Sequence, residues 1–70
     1  MIRCHLSRLL GEKKMKIADV SRDTKINRGT LTRLYYETFE RVDRGVIDQL
    51  CEYLDCSVAD LFEYVTEESK

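Results

Sequence analysis

Residues 27–36 combine side chains whose hydrogen-bonding groups suit the edges of nucleic-acid bases. If this segment is a helix, Leu31, Leu34 and Tyr35 share one face, because successive side chains are rotated by about 100°. The opposite face, its flanks and its leading tip then comprise Gly29, Thr32, Arg33, Tyr36, Arg28, Thr30 and Asn27. Arginine can pair bidentately with guanine and asparagine with adenine, and a threonine methyl can contact thymine.

Gly29 is the unusual member of this set, because glycine within a helix costs about 1 kcal/mol relative to alanine. Without a side chain, its backbone can approach a base edge or a phosphate closely. A solvated helix face also mixes polar residues with an occasional glycine, so the face alone leaves both interpretations open.

The cysteines and the single histidine are the other side chains that could do chemistry. Cys4, Cys51 and Cys56 are odd in number, unlike a secreted disulfide framework, and the last two lack the spacing of a zinc knuckle. A zinc site that includes His5 requires the chain ends to meet. No nucleophile–base pair or phosphate-binding glycine loop has a recognisable spacing. We therefore expect small hydrophobic cysteines in a reducing cytosol, no metal, no cofactor and no enzymatic activity.

Apolar residues recur at helical spacing along the chain, which predicts five helices in a compact all-α bundle. The five stripes are Ile2, Leu6, Leu9 and Leu10; Ile17, Val20, Ser21 and Thr24; Leu31, Leu34 and Tyr35; Val46, Ile47, Leu50, Cys51 and Leu54; and Leu61, Phe62 and Val65. Asn27 and Asp43 can cap helices three and four, and Ser57 with Asp60 forms a capping-box-like start to helix five. Residues 37–42 have no stripe and are predicted to form a loop.

The second and third helices are separated by only Lys25, Ile26 and Asn27. So short a junction makes the helices cross steeply and needs a small residue at their contact, which Ser21 supplies. Ile26 and Leu31 can then fill the same core. This is the packing of a helix-turn-helix, at about residues 17–36, which holds its second helix outward toward a major groove.

The length allows a single domain, residues 1–70, with a frayed tail at residues 66–70. No apolar run approaches the roughly 20 residues of a membrane span, and charges interrupt any signal-peptide core, so we expect a cytoplasmic protein with no membrane partner. The formal net charge of −1 is unevenly distributed. Residues 1–44 carry eleven Lys and Arg against six Asp and Glu, whereas residues 45–70 carry one against seven. This asymmetry predicts a basic face that binds phosphates and an acidic back.

The chain resembles the lambda-repressor-like DNA-binding domains of the Cro/repressor (XRE) type over residues 2–65, and most closely a compact bacterial branch. The resemblance rests on the segment just described and on a recurrent ending, L-C-x-x-L-x-C at residues 50–56 and D-L-x-x-Y at residues 60–64. It implies five helices, of which the second and third read DNA, structural roles for Cys51 and Cys56, and dimeric binding to an inverted repeat.

The resemblance also assigns roles at the interface. Arg28, Gly29 and Thr32 match positions that commonly face bases, with Asn27 and Arg33 nearby for bases or phosphates. Tyr36 and Thr38 match the stretch after the helix that contacts the sugar-phosphate backbone. Many relatives begin helix two with a glutamine that braces a base contact, but this position is Ile17, so Lys16 is expected to substitute by binding phosphate. The turn often contains glycine; here a left-handed Lys25 would cost roughly 1 kcal/mol.

The expected function is sequence-specific binding of double-stranded DNA by a bacterial, phage or plasmid transcriptional regulator. It is expected to act as a homodimer, with Phe62, Tyr64 and Val65 as the first candidate interface. The alternative is a protein-interaction module, such as an antitoxin or an adaptor, suggested by the acidic second half and by the aromatic residues Phe39, Tyr53 and Tyr64. These aromatic side chains could equally complete the core or a dimer interface.

Overall fold

The computed structural model describes residues 1–66, which form five helices and two short strands. Their order is β1 (Ile2–Cys4), α1 (Leu6–Glu12), α2 (Ile17–Thr24), α3 (Arg28–Tyr35), α4 (Arg44–Leu54), α5 (Val58–Leu61) and β2 (Phe62–Tyr64). The predicted loop at residues 37–42 is confirmed. Of the tail expected to fray, residues 67–70 lie outside the described part of the chain.

The two ends of the chain pair with each other, so the all-α prediction is only approximate. β1 and β2 form an antiparallel two-stranded sheet in the register Ile2 to Tyr64, Arg3 to Glu63 and Cys4 to Phe62. The prediction that Ile2 belongs to helix one, and Phe62 and Val65 to helix five, is therefore wrong. Their apolar–polar alternation also fits a strand, and the deciding backbone bonds join residues as far as 64 positions apart. A local pattern cannot carry that information.

Every helix contributes to one core of buried hydrophobic residues. These are Cys4, Leu6, Leu9, Leu10, Val20, Ile26, Leu31, Leu34, Leu50, Leu54 and Leu61. Cys51 and Cys56 pack against this core half-buried, and all three cysteines are free. Burial raises the pKa of the Cys4 and Cys56 thiols. The cysteines thus lie as the small hydrophobic residues that the sequence predicted.

Each of the four longer helices is followed within two residues by a left-handed residue that is not glycine. These residues are Lys14, Lys25, Glu37 and Asp55, with φ between 53° and 68°. After α4, the N–H of Cys56 donates to the Cys51 carbonyl at 3.0 Å and that of Asp55 to Glu52 at 3.3 Å, the two bonds of a Schellman motif. A side-chain contact between the outer pair of residues commonly accompanies this motif. Cys51 and Cys56 are the outer pair of this motif.

Two of the three predicted caps form as expected. Asn27 accepts hydrogen bonds from the first turn of α3, and Ser57 and Asp60 form a reciprocal capping box at α5. Asp43 occupies the N-cap position of α4, but among residues 1–66 its carboxylate makes no capping bond. The Asp43 carbonyl instead accepts from Val46 at 3.1 Å and Ile47 at 3.2 Å. The first amides of α4 are therefore left without a side-chain cap.

Candidate nucleic-acid interface

The turn between α2 and α3 satisfies its own polar groups through side chains. The Ser21 hydroxyl donates to the Ile26 carbonyl at 2.8 Å, and the Thr24 hydroxyl donates to Val20 at 2.6 Å while accepting from the Ile26 N–H at 3.2 Å. Ile26 is buried between the helices. Ser21, the small residue predicted at the contact between α2 and α3, thus also forms a hydrogen bond with the turn. These bonds fix the turn that positions α3 against α2.

Lys25 adopts the left-handed conformation that glycine often supplies at this turn. Its φ is 68° and its N–H donates to the Ser21 carbonyl at 2.8 Å, which closes α2. Its side chain is exposed, so it meets no packing constraint. The left-handed geometry is kept at a cost of about 1 kcal/mol.

Helix α4 braces the helix-turn-helix from behind, a contact that the sequence did not reveal. The Gln49 amide donates to the Thr24 carbonyl at 3.0 Å, and the Tyr53 hydroxyl donates to the Asp23 carboxylate. The Asp23 pKa is lowered by its hydrogen bonds with Arg22 and Tyr53, while the Tyr53 pKa is raised by the bond to Asp23. Both α4 residues point at the last turn of α2. Both lie outside the predicted apolar stripe of α4, four residues apart on one flank of the helix, so the apolar periodicity gave no sign of this contact.

Asn27 and Gly29 are linked at the start of α3. The Asn27 Oδ1 accepts from the Gly29 N–H at 2.7 Å and from the Thr30 N–H at 3.3 Å. A Cβ atom on Gly29 would lie 2.9 Å from that same Oδ1. The glycine therefore gives the cap room to form, which is a structural reason for its position that sequence reasoning missed. While it caps the helix, Asn27 has only its amide N–H groups to offer a ligand.

The polar face predicted for α3 is accessible. Leu31 and Leu34 are buried, whereas exposed positions around the helix and just beyond it are Arg28, Thr32, Arg33, Tyr36 and Thr38. The Tyr36 side chain is 65% exposed, and its ring makes an edge contact with the ring of Tyr35. Gly29 and Thr30 are half-buried. The exposed set offers two guanidinium groups and three hydroxyl groups to one side of the molecule.

One groove brings together three of the predicted interface residues. It has a volume of about 260 Å³, lies between the start of α2 and the length of α3, and is bordered by Lys16, Arg28 and Tyr36. Lys16 is exposed, and its backbone N–H donates to the Asp19 carboxylate at 2.9 Å. The positive end of α2 is thus already partly neutralised, so any phosphate affinity of Lys16 comes from its ammonium group.

A second cleft lies on the other flank of α3. It has a volume of about 210 Å³ and is lined in part by Thr30, Arg33, Arg41 and Asp43. Arg44 opens α4 beside it, where the helix lacks a side-chain cap. Sequence reasoning did not single out Arg41 or Arg44, because both fall outside the helix-turn-helix; the basic balance of residues 1–44 was the only signal.

The chain after α3 is fixed to the N-terminal strand. Glu37 pairs with Arg3 through two bonds, of 2.7 and 3.0 Å, and also accepts from the Cys4 N–H at 3.1 Å. These bonds, the Arg3 side chain first, lower the pKa of Glu37 to about 2. The Thr38 N–H donates to the Arg33 carbonyl at 2.8 Å. The stretch holding Tyr36 and Thr38 therefore has a defined geometry.

The ion pairs of residues 1–66 leave the arginines of α3 free. The paired cations are Arg3, Arg8, His5 (when protonated) and Arg22. Arg28 and Arg33 form no ion pair with the described residues, and α3 itself contains no acid. A surface with unpaired guanidinium groups and hydroxyl groups can bind an anionic, hydrogen-bonding polymer such as nucleic acid.

The sequence profile of the Cro/C1-type helix-turn-helix DNA-binding domain matches residues 5–67. The chain belongs to this family. The Cro/C1-type assignment confirms the resemblance on which the sequence interpretation rested, and it supports DNA binding and transcription regulation in a family that is typically not enzymatic. No individual curated protein matches the chain.

No helix of residues 1–66 is long and apolar enough to cross a membrane. In the same part of the chain, no three His, Cys, Asp or Glu side chains converge as metal ligands would. His5 lies at the start of α1, with Nε2 2.7 Å from a Glu63 carboxylate oxygen.

Proposed function

We propose that this protein is a bacterial, phage or plasmid transcriptional regulator that binds a specific duplex sequence with α3 in the major groove. The observation that carries the proposal is the open polar face of α3, with two unpaired arginines, on a helix whose preceding turn is held by hydrogen bonds from Ser21 and Thr24. Such a face can distinguish base pairs, because each presents a different donor and acceptor pattern in that groove. The whole chain acts as one domain within the cytoplasm.

The proposed contacts divide into two groups. Arg28, Thr32 and Arg33 face bases, with the half-buried Gly29 and Thr30 beside them. Lys16, Tyr36 and Thr38 contact the sugar-phosphate backbone, and Asn27 donates from its amide while it caps α3. Phosphate contacts position the domain, and base contacts give the specificity.

We further propose that two copies bind an inverted repeat. One α3 of eight residues reads few base pairs, and pairing two such helices on half-sites about one helical turn apart doubles the sequence read. Selection from a random duplex pool tests sequence specificity directly. A selected sequence with two-fold symmetry supports this arrangement, whereas failure to enrich any sequence contradicts the regulator function.

Single substitutions test the two groups of contacts. We predict that Arg28→Ala costs roughly 1–3 kcal/mol on the selected duplex and much less on a scrambled one, because it removes a base contact. Lys16→Ala weakens binding to both duplexes similarly. Arg8→Ala is the matched control, since Arg8 is paired with Glu12 at 3.8 Å on α1. Equal losses for Arg28→Ala on both duplexes in binding titrations would refute the base-reading role.

The interaction-module alternative has less support. Tyr53 bonds to Asp23, and the Phe39 ring lies edge-on to Phe62 with centroids 6.0 Å apart, so both aromatic residues complete internal contacts. Tyr64 remains open at 68% exposure. A pull-down without nucleic acid distinguishes the two functions, because a stoichiometric unrelated protein would favour an antitoxin or adaptor.

A further inference from the structure

The groove between the start of α2 and α3 is apolar inside and polar at its edge. Its half-buried members are apolar or aromatic, namely Met15, Ile17 and Tyr35. Its exposed members are mostly polar, namely Lys16, Ala18, Arg28 and Tyr36. Ile17 also packs against the hydrophobic core, so one side of its side chain is already covered. The rest of the Ile17 side chain opens into the groove that it shares with Arg28.

The first turn of α2 offers no hydrogen-bonding side chain to this groove. Ile17 opens the helix and Ala18 follows it, and both side chains are aliphatic. The Asp19 carboxylate is already bound by the Lys16 N–H at 2.9 Å and by Arg22 at 3.4 Å. The guanidinium group of Arg28 therefore has an aliphatic neighbour from α2 across the groove.

The major-groove edge of DNA contains one apolar group beside its hydrogen-bonding atoms, the C5-methyl group of thymine. Arg28 is the first residue of α3 and forms no ion pair with the described residues, so its guanidinium group is free to bind guanine O6 and N7. The next base pair lies only about 3.4 Å further along the duplex. A methyl group on that base pair is within reach of a side chain that shares the groove with Arg28.

We propose that Ile17, with Ala18 beside it, is a specificity-determining residue that packs on the C5-methyl group of a thymine next to the guanine read by Arg28. The hydrogen bonds of this recognition come from α3 and the apolar contact comes from α2. A phosphate is the poorer occupant, because a charged group against the inner apolar side chains loses hydration without gaining a hydrogen bond. The inference rests on the proposed function and deepens it, since it names two neighbouring base pairs of the duplex.

Two base analogues locate these base pairs in the duplex that the wild-type protein selects. Replacing each guanine in turn with 7-deazaguanine removes only its N7 acceptor. The guanine read by Arg28 is the one whose replacement weakens binding of the wild-type protein but not of Arg28→Ala. Replacing each thymine with uracil removes only the methyl group. Next to that guanine, uracil is expected to weaken wild-type binding about fourfold, because one methyl group is returned to water. A selected duplex with no thymine beside that guanine would overturn the inference.

Ile17→Ala tests which side chain covers the methyl group. In binding titrations, its preference for thymine over uracil is expected to fall below about twofold, because little aliphatic surface remains to contact the methyl group. Ile47→Ala is the matched control, since Ile47 is also a half-buried isoleucine and does not line this groove. A loss of stability lowers the affinity for both duplexes alike, so the ratio of the two affinities separates recognition from folding. An unchanged thymine preference in Ile17→Ala would refute the role of Ile17.

A second measurement needs only the wild-type protein. Cytosine and 5-methylcytosine, placed at the thymine position opposite guanine, differ by the same methyl group. We expect the duplex with 5-methylcytosine to bind about fourfold more tightly than the duplex with cytosine. Equal affinities would contradict the methyl contact.

Failure of the inference can be distinguished from failure of the proposed function. If a duplex is selected and Arg28→Ala relaxes its specificity, but no thymine preference depends on Ile17, the DNA-binding function stands and the Ile17 contact is wrong. If no duplex is selected, the proposed function fails and the inference fails with it.

Discussion

Replacing Gly29 with alanine tests whether this glycine serves the cap of α3. The added Cβ would lie 2.9 Å from the Asn27 Oδ1, closer than a carbon and an oxygen normally approach, and 3.5 Å from Arg33 Nη1. The same Oδ1 holds the Gly29 and Thr30 N–H groups at 2.7 and 3.3 Å. The Asn27 carboxamide must therefore move, which weakens both capping bonds.

Two opposing contributions set the size of the effect. Alanine is favoured over glycine inside a helix by about 1 kcal/mol, while loss of an N-cap costs about 1 kcal/mol. In the wild-type background we therefore expect Gly29→Ala to leave the free energy of unfolding unchanged or to lower it. In an Asn27→Gly background there is no carboxamide to displace, so the same substitution should stabilise the protein by about 1 kcal/mol.

Urea unfolding of the four proteins, followed by circular dichroism, measures this coupling. We expect an interaction energy of about 1 kcal/mol between positions 27 and 29. The slope of the unfolding free energy against urea concentration should change little. If Gly29→Ala stabilises both backgrounds equally, the cap does not require glycine. The close approach of DNA would then be the better explanation for its presence.

Two further predictions concern helix ends and the Arg3–Glu37 contact. Lys14→Gly should raise the free energy of unfolding by about 1 kcal/mol in urea titrations, because Lys14 is left-handed after α1, and an unchanged or lower value would contradict this. The Glu37 pKa of about 2 lies below its ordinary value of 4.5, so the carboxylate stabilises the fold above pH 4.5 and this contribution is lost as the pH falls toward 2. Glu37→Gln should therefore make the free energy of unfolding fall less steeply as the pH drops from 4.5 to 2. Glu40→Gln is the control, because Glu40 forms no ion pair among residues 1–66. Parallel plots of the free energy of unfolding against pH for the two variants would exclude the effect.

The sequence predicted best those elements that depend on neighbouring residues. Helices α2, α3 and α4 follow from apolar stripes whose members lie within a few turns of one another, and Asn27 follows from the capping preference of asparagine. The polar face of α3 could be predicted for the same reason, since burial of Leu31 and Leu34 fixes which side chains point outward.

The features that escaped prediction depend on contacts between distant residues or on single interatomic distances. Pairing of β1 with β2 joins opposite ends of the chain, and Glu37 bonds to Arg3 across 34 positions, so neither leaves a local periodicity. The role of Gly29 depends on a 2.9 Å approach to a side chain two residues earlier. Asp43 has the right type and position for a cap, but its rotamer was beyond the reach of sequence preference.

The distribution of ion pairs explains how a chain with a net charge of −1 can present a basic surface. In residues 1–44, four of the six acids, Glu12, Asp19, Asp23 and Glu37, pair with arginines that lie outside α3. The other two acids, Glu40 and Asp43, lie in the loop before α4. These ion pairs thus neutralise arginines outside α3 and leave Arg28 and Arg33 with their full charge. Because counterion release depends on the cations that touch phosphates, affinity for DNA is governed by this local set and not by the net charge.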